Sequence, residues 1–173
     1  KRSSAVAPAA RSNAPPRHSA KPPPAPSSLD RRSEEDAVSH AAAVKQSAEQ
    51  GDRVAQGWLA YLYVIGKGVP QNYSEAAAWF RRAAVKENAE AQDWLGYLYE
   101  TGKGVTQDYI QSAIWYRRAA EQGDAEAQKN LALLYANGTG VAKNLREAIK
   151  WYGKAAAQGN FEAQRALEIW REP

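Results

Sequence analysis

Along most of the chain the apolar residues recur at intervals of three and four, the spacing that places side chains on one face of an α-helix. Ala55, Leu59, Leu62 and Tyr63 stand at i, i+4, i+7 and i+8, and the pattern returns with a period of 36 residues. Ala55-Gln56, Ala91-Gln92, Ala127-Gln128 and Ala163-Gln164 fall at successive steps, and so do Leu59, Leu95, Leu131 and Leu167. The same register carries Tyr63, Tyr99 and Tyr135, the pairs Gly66/Gly68, Gly102/Gly104 and Gly138/Gly140, and Val69, Val105 and Val141. It continues through Trp79, Trp115 and Trp151 to Ala83-Ala84, Ala119-Ala120 and Ala155-Ala156. A fixed period of this length is the signature of stacked supersecondary units.

Each unit reads as two antiparallel helices. Asp52, Asn88, Asp124 and Asn160 open the first helices, since their side chains accept from free amides at a helix N-terminus. Gly66, Gly102 and Gly138 suit the left-handed position that ends a helix, and the second glycine of each pair lets the connection turn tightly. Asn72, Asp108 and Asn144 then cap the second helices. Their inward faces set the repeated tryptophan among small alanines, so that a neighbouring backbone can approach and the indole fills the remaining space.

The motif A-x3-L-[AG]-x2-Y-x2-G-x-G-V-x2-[DN]-x6-W-[FY]-x-[KR]-A-A resembles the Sel-one-like repeat, a glycine-looped relative of the tetratricopeptide repeat. The resemblance implies an all-α fold, a right-handed α-solenoid of antiparallel helical hairpins, used in this family mainly as an adaptor or scaffold in multiprotein assemblies. It covers three full repeats, 52–87, 88–123 and 124–159. Residues 33–50 match only a second helix and 160–173 only a first, as capping helices of a one-dimensional stack should. Ser33 is the expected N-cap of the leading helix, with Glu34, Glu35 and Asp36 in its first turn.

Composition sets the beginning of the chain apart. Residues 1–30 hold seven of the nine prolines, no aromatic residue, and Val6 and Leu29 as the only larger aliphatics. That stretch cannot bury enough apolar surface to offset its ordering entropy, so residues 1–32 are expected to be a disordered basic Pro/Ala-rich linker and 33–173 the solenoid. Charge divides at the same place: the net +4 comes from five basic residues against Asp30 in the first thirty, which leaves eighteen basic and eighteen acidic residues in the remainder. The folded part is formally neutral and carries no basic face for nucleic acid. The chain opens on Lys1 rather than Met, which reads as a fragment or processed product with an upstream signal or anchor missing.

Candidate chemistry is sparse. The chain has no cysteine and two histidines, His18 in the linker and His40 in the leading helix, neither with the partners that a catalytic or metal site requires. Catalytic residues, metal ligands and cofactors are therefore expected to be none. The loops Gly66-Lys67-Gly68 and Gly102-Lys103-Gly104 lack the preceding strand and the spacing of a phosphate loop, and read as helix-to-helix turns. Cysteine-rich members of the resembled family have been connected with penicillin binding or hydrolysis, and the absence of cysteine keeps that activity from being carried over. No apolar run is long enough to span a membrane.

In tetratricopeptide geometry the first helices line a concave groove, and residues opposite the Leu59 stripe point into it. A rotation of 100° per residue assigns Val54, Gly57, Tyr61 and Val64 to that sector, then Glu90, Asp93, Tyr97 and Glu100. The following units add Glu126, Lys129, Leu133 and Ala136, then Glu162 and Arg165. Unlike the core, these positions change from unit to unit, which leaves them free to specify a ligand. The expected partner is a basic or amphipathic peptide or protein, met by an acidic groove with Tyr61, Tyr97 and Leu133 as anchors. The basic linker itself is a further candidate occupant. The alternative is a carbohydrate- or peptidoglycan-binding module of the bacterial envelope that uses exposed Trp58, Tyr61 and Trp94. A periplasmic or membrane-anchored setting suits either reading, with the cytoplasm left open.

Overall fold

The computed structural model describes residues 34–171, so Ser33, His18 and the linker lie outside the described residues. Eight helices and no strand make up the described residues: α1 (Glu34–Glu49), α2 (Arg53–Ile65), α3 (Tyr73–Ala84), α4 (Ala89–Thr101), α5 (Tyr109–Glu121), α6 (Ala125–Asn137), α7 (Leu145–Ala157) and α8 (Phe161–Arg171). Every helix packs on the next in sequence, and first helices of neighbouring units also touch, as α4 and α6 do. The result is an all-α solenoid of three hairpins, α2–α3, α4–α5 and α6–α7, between α1 and α8.

The ends of these helices follow from the capping residues. Asp52 accepts from the amides of Val54 and Ala55 at 2.7 and 2.9 Å, and Asn72, Asn88, Asp108, Asp124, Asn144 and Asn160 cap their helices in the same way. Gly66, Gly102 and Gly138 terminate the first helices at φ 69°, 70° and 77°, where a side chain is strained. The glycine-lysine-glycine segments are thus turns between helices.

The second glycine of each pair has a further reason. A Cβ on Gly104 would lie 2.2 Å from the Tyr73 carbonyl carbon, and one on Gly140 would lie 2.1 Å from the Tyr109 oxygen. Each loop therefore rests directly on the first turn of the second helix in the preceding unit, and only glycine allows that approach.

The repeated Ala-Gln dipeptide is explained by a contact between units. Gln56, Gln92 and Gln128 each donate through Nε2, at 3.0 Å, to the carbonyls of Ala48, Ala84 and Ala120. Those carbonyls end the preceding helices, where each also accepts at 3.1 Å from the turn amide three residues on, Gly51, Glu87 or Gly123. Gln122 and Gln158 then donate to the Oε1 atoms of Gln92 and Gln128 at 2.7 and 2.9 Å, extending the chain of amides along the stack.

Leu59, Leu95 and Leu131 are inaccessible to solvent, and the tryptophans of the second helices are buried beside them. Each indole is roofed by a cation one turn on: Arg82 over Trp79 at 4.2 Å, Arg118 over Trp115 at 4.7 Å and Lys154 over Trp151 at 4.2 Å. Gly96 stands where Ala60 and Ala132 stand in the flanking units, because the buried ring of Tyr116 would lie 2.4 Å from its Cβ.

Three substitutions test this packing. Trp115→Ala should cost about 3–5 kcal/mol, read as a lowered thermal denaturation midpoint, because the indole is 8% exposed at the middle of the stack. Gly123 also has positive φ, 98°, yet a Cβ there meets nothing within 4 Å. Gly123→Ala should therefore cost about 1–2 kcal/mol for conformation alone, and Gly104→Ala about 1–3 kcal/mol more for the clash with Tyr73, compared by urea denaturation.

Candidate functional site

The structure divides the expected groove residues. Leu133 is 40% exposed, Tyr61, Glu90, Glu100 and Glu126 are half-buried, and Val54, Glu162 and Arg165 reach solvent. Val64, Asp93, Tyr97 and Lys129 are buried, as are Gly57 and Ala136, against the expectation that they point into open space. The physical reason is that a first helix in the stack is covered on two sides, by its own unit and by the first helix of the next. A single core stripe therefore underestimates its covered arc.

What the buried members do is visible in their partners. Lys129 Nζ lies 2.8 Å from Glu126 Oε2 and 3.0 Å from Glu162 Oε2, tying α6 to α8, while Asn160 Nδ2 donates to Glu126 Oε1 at 2.8 Å. Asn130 Nδ2 reaches Asp93 Oδ1 at 3.4 Å. The Tyr97 hydroxyl accepts from Lys103 Nζ at 3.0 Å, and this bond raises the pKa of that ammonium.

Trp94, expected as an exposed sugar platform, is only 6% exposed. It stacks on Phe80 with ring centroids 5.5 Å apart and planes 6° apart, and Tyr61 and Tyr97 close on it at 5.9 and 5.7 Å. Trp58 and Tyr61 remain accessible, but their planes cross at 80° and form no flat surface. One exposed residue escaped the helical-wheel assignment: Ile65, on the flank shared by Trp58 and Tyr61 rather than opposite the core. Its position just before the loop glycine was the available signal.

The electrostatics of the first helices centre on acids that face one another. Burial, reinforced by Asp124 and Asp93, pushes the Glu90 carboxyl up to about 7. Burial and Asp93 likewise push Asp124 up to about 6, against the bond from the Ala127 amide that favours its charged form. Among the described residues no three His, Asp or Glu side chains converge as a metal site, and no helix is long and apolar enough to cross a membrane.

The two raised carboxyls make stability pH-dependent with a definite sign. Both bind protons more tightly folded than unfolded, so their contribution is full below their ordinary values of 4.5 and 3.8 and is lost as pH rises through about 6 and 7. The thermal midpoint should fall by a few degrees between pH 5 and pH 8, on a scale of about 2–4 °C per kcal/mol. Glu90→Gln should flatten that profile and raise the midpoint at pH 8, followed by circular dichroism.

A Sel1 repeat family model matches residues 53–84, 89–124 and 125–160. A Sel1 repeat protein from Oxalobacter formigenes is 43% identical with a TM-score of 0.69, over 75% of this chain and 97% of that one. A protective antigen of uropathogenic Escherichia coli with an SLR fold is 40% identical with a TM-score of 0.71, over 72% of this chain. The match spans only 27% of that antigen's length. Helicobacter pylori cysteine rich protein B, at 22% identity and a TM-score of 0.61 over 78% of this chain and 97% of that one, shares the fold. No curated protein matches the chain. Sel1 repeat proteins are in general non-enzymatic scaffolds that bind other proteins, and with three units matched over more than half its length this chain belongs to the Sel1 repeat family.

Proposed function

We propose that this chain is a non-enzymatic scaffold that holds a basic or amphipathic peptide along its concave face. Most residues fixed at the 36-residue period are spent on stacking, whereas some accessible first-helix positions differ between units: Val54 stands where Glu90, Glu126 and Glu162 do, and Tyr61 where Leu133 does.

Glu90 carries the reading. Its Oε1 is shielded from water and receives no hydrogen bond, and the carboxyl sits in the field of Asp93 and Asp124. A lysine or arginine from a bound peptide would supply both the donor and the countercharge, a charge-assisted bond stronger than a neutral one. Tyr61, Ile65 and Leu133 offer apolar contact on either side. The glycan reading keeps Trp58 and Tyr61 but loses Trp94 to the core.

Peptides selected by display against the full chain should be enriched in Lys and Arg among apolar residues. Their affinity, measured by fluorescence anisotropy, should fall as salt rises and drop about tenfold in a Tyr61→Ala/Leu133→Asp double variant. It should also tighten between pH 6 and pH 8 as Glu90 ionises, and Glu90→Gln should abolish that dependence. Binding of cell-wall glycan that ignores salt and requires Trp58, with no peptide enriched, would establish the other reading.

A further inference from the structure

Carried to the ends of the stack, the 36-residue register shows that α1 takes the place of a second helix and α8 that of a first. Between α1 and α2 lies a cavity of about 340 Å³, lined by His40, Ala43, Val44 and Ser47 on one side and by Val54, Ala55 and Trp58 on the other. One period further on, the α1 residues become Ala76, Trp79, Phe80 and Ala83, and Trp58 becomes Trp94. That is the surface on which α2 is seated: it forms a hairpin with α3, and its Tyr61 lies against Trp94. The cavity is therefore an open seat for a first helix.

The chain's own preceding residues are unsuited to it. The register places residues 17–29 there, and Pro22, Pro23, Pro24 and Pro26 fall within its interior. Each such proline removes a helix hydrogen bond and costs about 3 kcal/mol or more.

At the other end α8 presents the matching face. Phe161 and Ile169 are 67% and 68% exposed, and Ile169 is the register counterpart of Tyr61. Arg165 is the counterpart of Gly57, whose added Cβ would stand 3.6 Å from Asn88 Nδ2. The residue equivalent to Asn88 at the open seat is Asp52. We propose that the seat between α1 and α2 receives α8 of a second copy, with Ile169 against Trp58 and the Arg165 guanidinium beside the Asp52 carboxylate. The contact continues the solenoid across the junction with opposite charges facing. It joins unlike surfaces, so chains add head to tail rather than closing as a two-fold dimer.

Sedimentation velocity of the full 173-residue chain over a concentration series tests this. The mass should rise past that of a dimer. Asp52→Asn, which keeps the cap that Asn88 and Asn160 also supply, should weaken association about two- to fivefold, as expected for an exposed ion pair. Two blocked variants complete the test: Ile169→Asp spoils the α8 face, and Ala43→Arg fills the seat from an exposed position on α1. Each alone should be monomeric with unchanged helical circular dichroism, and an equimolar mixture should form a 1:1 dimer and nothing larger. A wild-type chain that stays monomeric throughout the series overturns the proposal, as does a dimer that survives in both blocked variants.

Discussion

A buried glutamine at the start of each unit donates to the closing carbonyls of the helix before it, and this contact governs how one hairpin sits on the next. Gln92 reaches Ala84 and Gln128 reaches Ala120 at the same 3.0 Å. The glutamine adds a second donor to a carbonyl that the turn amide three residues on already engages, and a junction that failed to meet it would leave a buried side-chain amide unpaired. That side-chain amide also has to arrive from a fixed depth in the following helix, which sets the pitch of the stack. The alanines around it and the glycine loops that rest on the preceding helix are consistent with that pitch, since larger side chains at Gly104 or Gly140 would hold the units apart.

Closeness has an electrostatic consequence. First helices brought together this tightly press their facing side chains into a space with little water, whatever those side chains are. Where the units supply opposite charges, as with Lys129 between Glu126 and Glu162, the interface closes with ion pairs. Where they supply acids, burial and the field of Asp93 raise the Glu90 and Asp124 carboxyls. A basic side chain from a bound peptide would relieve that repulsion, and this is what gives the proposed peptide binding its direction.

The repeat architecture, the caps and the loop glycines were legible in the sequence because each rests on a local rule repeated in phase. Asp52, Asn88 and Asp124 differ in identity yet all cap, and the three tryptophans are all core. Exposure on the first helices was not legible in the same way. A wheel drawn on one helix has one buried face, while α4 is covered by α5 and again by α6, so Asp93 and Tyr97 lie inside. Trp94 shows the same error for an aromatic residue: its indole is enclosed by Phe80, Tyr61 and Tyr97 from other turns and helices, none of which a single-helix projection contains. The glutamines were visible as markers of the period, but their role depends on a carbonyl in a different helix.

A stack built from nearest-neighbour contacts has no internal reason to stop, so its ends need to be made unlike its middle. The leading face is altered only in part. His40 and Ser47 replace Ala76 and Ala83 of the next unit, yet Val44 still stands where Phe80 does and Trp58 where Trp94 does. At the trailing end Phe161 and Ile169 remain exposed. Two polar substitutions discourage indiscriminate sticking without removing the shape that holds a helix, and the facing charges of Asp52 and Arg165 would then select which helix is accepted.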